Sequence, residues 1–266
     1  LDGVINNKYI NMPKEKKLPI LIAIPHASTF VPADLRKMML FTDRQIKKQS
    51  DLYTDNIYDL PNTYNVKAKI SRLVADVNRA PDDIELEYKL YHDGVVVSVD
   101  EYGKTIYKEA PPIKEVFTRV KKYHEPFHAE IERLTPKVKF LIDAHSLWSK
   151  GPSMKEDSGA ERADIVLGNR DFTTCSRDTT LKISQFFESK GLSVKVNDPY
   201  SGKYVLGYHC SRRGLPGIQI EINRKLYMNE KTLAPNQKGI KRMRNMIQEL
   251  VGIIDKDLIK SASAKY

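Results

Sequence analysis

The sequence has little cysteine, 2 residues in 266, and only 13 glycines and 14 prolines. Cys175 and Cys210 have no second pair near them, so they build neither a disulfide framework nor a zinc ribbon, and they read as free thiols of a reducing, cytoplasmic compartment. Glycine and proline at this level exclude collagen-like and low-complexity chains. No apolar run approaches the roughly 20 residues that span a bilayer. The longest, residues 18–25, has the length of a buried strand, so no membrane partner is expected. Three common signatures are also missing: the G-x-x-x-x-G-K-S/T phosphate loop, G-x-G-x-x-G, and the G-x-S-x-G nucleophile elbow. Negative charge is the minority, with 34 Asp and Glu against 44 Lys and Arg and a net charge of +10. Such a surplus suits an anionic partner. The basic residues fall in short groups at 14–17, 121–122, 212–213 and 238–244 without the interleaved aromatics that stack on bases. They read as solvated surface, and nucleic acid is not an expected partner.

What is present is an alternation of buried strands and amphipathic helices. Residues 1–17 form a polar arm without the apolar centre of a secretory signal, 18–260 form one domain, and 261–266 form a tail. Strands are expected at 19–25, 66–70, 73–77, 138–142, 164–167, 192–196 and 218–222, with a hairpin over 94–107. Helices are expected at 42–60, capped by Thr42 or Asp43 and stopped by Pro61, and at 113–134, 178–190 and 237–259. Residues 150–162, rich in glycine, serine and charge, read as a long mobile loop of the kind that forms lids. The alternation implies an α/β fold with a mainly parallel sheet covered by helices.

Ligands of open α/β sheets bind beyond the carboxyl ends of the strands, so polar residues at those ends come first. They are His26, the run from Arg72 to Arg79, Asp143 with His145, and the run from Gln219 to Arg224. Asp143 and His145 share one face of an extended segment, which can carry a metal ligand and its supporting carboxylate. Gln219, Glu221 and Asn223 likewise share a face opposite Ile218, Ile220 and Ile222. A glutamate inside an apolar strand is costly without a partner. Glu221 is therefore either a general base or one half of a salt bridge to Arg224 or Arg72. His124-Glu125-Pro126-Phe127-His128 matches H-E-x-x-H, the zincin string. Pro126 suits the first turn of a helix, which leaves His124 outside it, so the match is read as chance. His128 is kept as a residue pointing into the site from the helix start. Cys175 reads as a buried structural thiol.

Taken in order, Pro25-His26-Ala27-Ser28, then residues 71–79 (SRLVADVNR), Asp143-Ala144-His145-Ser146, residues 219–224 (QIEINR) and Leu226-Tyr227-Met228 resemble the N-formylglutamate amidohydrolase family. That family is similar to zinc carboxypeptidases and to the aspartoacylase and succinylglutamate desuccinylase group. The resemblance implies a three-layer α/β/α sandwich on a mixed, mainly parallel sheet, and one zinc ion held by His26 and His145. The carboxypeptidase pattern places its acidic ligand where this chain has Thr29, so Asp51 is taken as third ligand, with Asp55 one helical turn further on as the alternative. By the same resemblance Glu221 is the base for a metal-activated water, and Asn78 and Arg79 bind substrate. Arg79 would hold a substrate carboxylate, Arg72 or Arg224 the oxyanion or a second carboxylate, and Asp143 would accept a hydrogen bond from a ligating histidine. The substrate would be a small anionic N-acyl amino acid. Ala27-Ser28 and Lys203 depart from the family pattern where substrate is contacted. Two other readings stand beside this one, a zinc peptidase or amidase acting on peptide or cell-wall amides and a non-enzymatic polyanion-binding protein.

Overall fold

The computed structural model describes residues 16–260; most of the polar arm and the tail at 261–266 lie outside the described residues. Its elements are β1 (Ile20–Ile24), α1 (Ala33–Arg36), α2 (Asp43–Gln49), α3 (Thr54–Tyr58), β2 (Tyr64–Lys67), α4 (Ile113–Arg119), α5 (Glu125–Leu134), β3 (Phe140–Leu147), β4 (Ile165–Gly168), α6 (Arg177–Ser189), β5 (Val194–Val196), α7 (Tyr204–Leu206), β6 (Gly217–Asn223) and α8 (Gln237–Ile253). The six strands form one sheet in the order β2-β1-β3-β6-β4-β5. Every neighbouring pair is parallel except β4 with β6. β1, β3 and β6 are buried along their whole length, as strands covered on both faces must be.

Strand alternation sorts the side chains into layers. Ile20, Ile22 and Ile24 of β1, Ile142 and Ala144 of β3, and Ile218, Ile220 and Ile222 of β6 pack with Ile57 of α3, Phe187 of α6 and Met243, Ile247 and Leu250 of α8. Leu21 and Ala23 of β1 and Leu141 of β3 point the other way, onto Phe127, Ile131 and Leu134 of α5 and Val205 and Leu206 of α7. The result is a three-layer α/β/α sandwich. On that second face α5 and α7 cover only the amino-terminal half of the central strands, and the polar residues of β3 and β6 emerge beyond them. A further apolar cluster, including Leu35, Phe41, Leu73, Val74, Ile106 and Val116, supports the loops flanking that open half.

Several elements differ from expectation, each for a local reason. The helix expected over 42–60 is two helices. Thr42 caps the first with a capping box to Gln45, but Ser50 is extended and Tyr53 is left-handed at φ 66°. The break lets the Asp51 N–H donate to the His26 carbonyl at 2.9 Å. Residues 73–77 form buried turns instead of a strand, because Asp76 N–H donates to Val95 O of a neighbouring loop. The expected hairpin at 94–107 reduces to a single bridge between Val99 and Thr105. His124, read as lying outside the helix that Pro126 opens, is inside it: a π-helical turn, Val120–His124, joins α4 to α5 without a break and accommodates Pro126 in the first turn of α5. β3 runs to Leu147, so His145 lies within a strand and not after one.

Helix α8 is seated by close approach at its first turn. A Cβ on Gly239 would lie 2.2 Å from the Leu226 carbonyl oxygen and 2.8 Å from Tyr227 Cα, both backbone atoms. Gly239→Ala is expected to lower stability by about 1–3 kcal/mol, the usual penalty of overpacking. It would be read as a fall in urea midpoint at unchanged m-value.

Candidate active site

The open half of the sheet forms the floor of a cleft of about 740 Å³, lined among others by His26, Asp51, Arg72, Asp76, Asn78, Arg79, His145, Gln219, Glu221 and Arg224. Parallel register sets the floor: β3 and β6 pair Asp143 with Gln219 and His145 with Glu221. These four side chains therefore stand on one face, as the spacing by two predicted. His26 enters from the turn after β1 and Asp51 from the gap between α2 and α3.

His26, Asp51 and His145 are all buried, and one ligand atom from each lies within 4.8 Å of the others. His145 Nδ1 is 3.2 Å from Asp51 Oδ2, and His26 Nδ1 is 3.7 Å from the same oxygen. The far nitrogen of each ring is held by a carboxylate. His26 Nε2 is 2.7 Å from Asp76 Oδ1, and His145 Nε2 is 2.9 Å from Asp143 Oδ1. Donation of Nε2–H to a carboxylate leaves Nδ1 as the basic nitrogen, the arrangement metal-ligating histidines adopt. His26 Nδ1 is buried without a hydrogen-bond partner. The donor chemistry therefore fits a divalent cation, two imidazoles and a carboxylate with a remaining position open, as in catalytic zinc sites. Asp55, the alternative ligand, is half-buried on α3 and is not part of this group.

The carboxylates are kept ionised by their neighbours. Burial alone would raise the Asp51 carboxyl, but contacts with His145 and His26 and the charge of Arg224 hold it well below the usual range. Asp76 is likewise buried and likewise held low by Arg72, His26 and Arg79. Glu221 behaves in the opposite sense: burial, only partly offset by His145, pushes its carboxyl up to about 7. Its Oε1 accepts from Gln219 Nε2 at 3.1 Å, whereas Oε2 is buried with no partner. Leaving such a group unsatisfied costs about 1–3 kcal/mol, a cost tolerated where function needs the atom free. The salt bridge from Glu221 to Arg224 or Arg72, the alternative to a general base, does not form among the described residues.

The arginines divide by how far the protein has already engaged them. Arg224 donates from Nη2 to Asp51 Oδ1 at 2.8 Å, from Nε to Ser146 Oγ at 3.1 Å and from Nη1 to Lys48 O at 3.1 Å, stacked over Trp148. It orients Asp51 and has no nitrogen without a protein partner. Arg79 binds Asp93 through Nε and Nη2 and the Asn78 carbonyl through Nη1. Arg72 uses Nε and Nη2 on Asp76, and its Nη1 keeps no protein partner among the described residues. Asn78 lines the cleft, but its carboxamide is engaged: Nδ2 donates to Asp143 Oδ2 at 3.1 Å and Oδ1 accepts from Val205 N–H at 2.8 Å. His128 does not line the cleft. It is buried behind it, 2.8 Å from the Val77 carbonyl and 2.8 Å from His209, because α5 packs beneath the 76–79 segment and not beside the metal ligands.

Sequence reasoning missed the roles of Asp76 and Gln219, which brace His26 and Glu221. The spacing of Asp76 by two from Asn78 was the available signal. Residues 150–162 contain no helix or strand and contribute Met154, Lys155, Glu156, Asp157 and Arg162 to the cleft wall, with Arg162 pinned by Asp157 and Tyr200. Both cysteines are buried free thiols, and burial pushes Cys175 up to about 11, which makes it inert as a nucleophile. Among the described residues no helix is long and apolar enough to cross a membrane.

Fold and cleft together define an α/β protein with a buried His-Asp-His group able to hold a metal ion. The chain belongs to the N-formylglutamate amidohydrolase family, whose sequence profile matches residues 18–228, and it is accordingly a hydrolase of C–N bonds other than peptide bonds. The crystal structure of an N-formylglutamate amidohydrolase from Ralstonia eutropha is similar to it with a TM-score of 0.79 and 26% identity, covering 92% of this chain and 95% of that one. The structure of a gene product from Agrobacterium tumefaciens shares the fold at a TM-score of 0.64 and 19% identity, covering 91% of this chain and 93% of that one. No curated protein matches the chain significantly.

The Arg224–Asp51 pair is buried on both sides, so removing one partner leaves an uncompensated charge. Arg224→Met is expected to lower stability by about 3–5 kcal/mol. In a double-mutant cycle with Asp51→Asn, the combined loss measured by urea denaturation should fall well short of the sum of the two single losses.

Proposed function

We propose that the chain is a zinc-dependent amidohydrolase that cleaves the amide of an N-acyl amino acid of the N-formylglutamate type. The observation that carries this reading is the convergence of two carboxylate-braced imidazoles and the Asp51 carboxylate beside a buried carboxylate oxygen, Glu221 Oε2, that has no partner of its own. His26, Asp51 and His145 would hold the ion. A divalent cation there supplies a Lewis acid that acidifies water and polarises an acyl carbonyl.

The rest of the chemistry belongs to the chain. Glu221 Oε2, fixed by the bond from Gln219 to its other oxygen, takes a proton from the attacking water as that oxygen bonds the acyl carbon. The same proton then passes to the departing nitrogen as the C–N bond breaks, releasing a carboxylic acid and a free amino acid. For a formyl group the acid is formate. Burial suits Glu221 to both halves of this exchange, since a carboxyl near 7 accepts and returns a proton at neutral pH. Of Arg72, Arg79 and Arg224, it is Arg72, with Nη1 unpaired among the described residues, that is best able to donate to an oxyanion or a substrate carboxylate. Arg79 and Arg224 act instead by holding Asp93 and Asp51, Asp143 by bracing His145, and Asn78 by holding Asp143.

Glu221→Gln is expected to lower kcat for N-formylglutamate about 10²- to 10⁴-fold, the usual worth of a positioned acid-base group, with zinc content unchanged by elemental mass spectrometry. Chelation of the wild-type protein should abolish formate release and zinc should restore it. Undiminished turnover after verified metal removal would overturn the reading. Preferential cleavage of peptides in the same assay would move it to a peptidase.

A further inference from the structure

Three buried histidines outside the metal ligands cluster together, His124 in ring contact with His128 and His128 hydrogen-bonded to His209. His124 closes the π-helical turn Val120–His124, His128 follows in the first turn of α5, and His209 sits in a second π-helical turn, Gly207–Ser211, after α7. His124 Nε2 is 2.8 Å from the Arg79 carbonyl, and His128 Nε2 is 2.8 Å from the Val77 carbonyl. A carbonyl only accepts, so both Nε2 atoms carry hydrogen. His128 Nδ1 is then the bare nitrogen of a neutral ring and accepts from His209 Nε2–H at 2.8 Å, with the two rings within 17° of parallel. His209 Nδ1 is buried without a partner. Burial, with the charges of the neighbouring histidines, holds His128 down to about 2. Burial and nearby Arg213 hold His209 down to about 4, so the rings stay neutral.

The carbonyls they grip alternate with the side chains that brace the metal ligands. Asp76 holds His26, and Asn78 donates to Asp143 while lying 2.9 Å from His145 Nε2. Val77 and Arg79, alternating with them along the chain, supply the carbonyls. We propose that His124, His128 and His209 are positioning residues: their ordered N–H groups anchor residues 77 and 79, and so set Asp76 against the His26 imidazole and Asn78 against Asp143, the carboxylate that holds His145. The H-E-x-x-H string thus acts one layer behind the metal, through backbone carbonyls. The proposal rests on the metal site proposed above.

The test uses full-length protein and zinc. ¹⁵N-histidine NMR of the wild type should show His128 and His209 as neutral Nε2–H tautomers at pH 7; a charged or Nδ1–H His128 would overturn the proposal. Zinc affinity, measured by competition with a chromogenic chelator, should weaken about tenfold or more in His128→Leu, the scale typical of groups that orient ligands. His128→Gln, which keeps a donor for the Val77 carbonyl, should restore most of it. Folded His128→Leu with wild-type zinc affinity sinks the idea. If that variant does not fold, His209→Leu against His209→Gln applies the same criterion at the other end of the His128–His209 bond. A wild-type protein that takes up no zinc removes the metal site itself and the proposal with it, a result distinct from a zinc-binding wild type whose variants are unaffected.

Discussion

The carboxylate of Asp51 joins the parts of this site that the sheet alone does not. β1, β3 and β6 are aligned by backbone pairing, which places His145 beside Glu221 without any help from side chains. Asp51 is on none of these strands. It reaches them because its N–H donates to His26 O, its Oδ1 accepts from Arg224 at the end of β6, and its Oδ2 faces His145 of β3. Three elements distant in sequence meet on one buried charge. In a low-dielectric interior such a charge is tolerable only while every partner is present, and this makes the arrangement rigid.

Around it the polar groups are arranged in tiers. The imidazoles that face Asp51 are backed by Asp76 and Asp143. Those carboxylates are themselves held, Asp76 by Arg72 and Asp143 by Asn78. Arg79, bound to Asp93, fixes the carbonyl-bearing side of the same segment. Each tier satisfies the one in front of it, and the exceptions are informative. Eight buried side-chain atoms have no hydrogen-bond partner among the described residues, and four of them, His26 Nδ1, His92 Nδ1, Trp148 Nε1 and Glu221 Oε2, belong to residues that line the cleft. Buried polar atoms are nearly always paired, so His26 Nδ1 and Glu221 Oε2, orphaned beside Asp51 and His145, mark where a ligand would complete the bonding.

Much of this was legible in the sequence, and what was not has a common cause. The strands β1, β3 and β6 announce themselves as short apolar runs, and their period of two already separates Asp143, His145, Gln219 and Glu221 from the isoleucines on the other face. Residue type and position narrowed the N-cap to Thr42 or Asp43, and Thr42 takes it. The break at residues 50–53 was not, because Ile46, Tyr53 and Ile57 satisfy a helical period as well as two short helices do. What ends α2 is a hydrogen bond to His26, 25 residues earlier. Residues 73–77 read as a strand for the same reason: Leu73, Val74, Ala75 and Val77 are buried, but in turns set by Val95. Local pattern reports burial well. Long-range bonds decide geometry where the site is built.

The arginines carry the same lesson into function. Arg72, Arg79 and Arg224 look alike in sequence, each beside a polar motif and each suited to hold a carboxylate bidentately. The carboxylates they hold are the protein's own, Asp76, Asp93 and Asp51. A planar fork with five donors can orient an aspartate and keep it ionised in a dry interior, which a lysine point charge does poorly. The arginine content of the motifs thus reflects the need to stabilise buried ligand and brace carboxylates before it reflects any substrate. Of these three arginines only Arg72 keeps an Nη1 without a protein partner among the described residues, and it shares the cleft with Arg162, Lys155 and Lys203, so a substrate's charge meets a cationic wall and not a single residue.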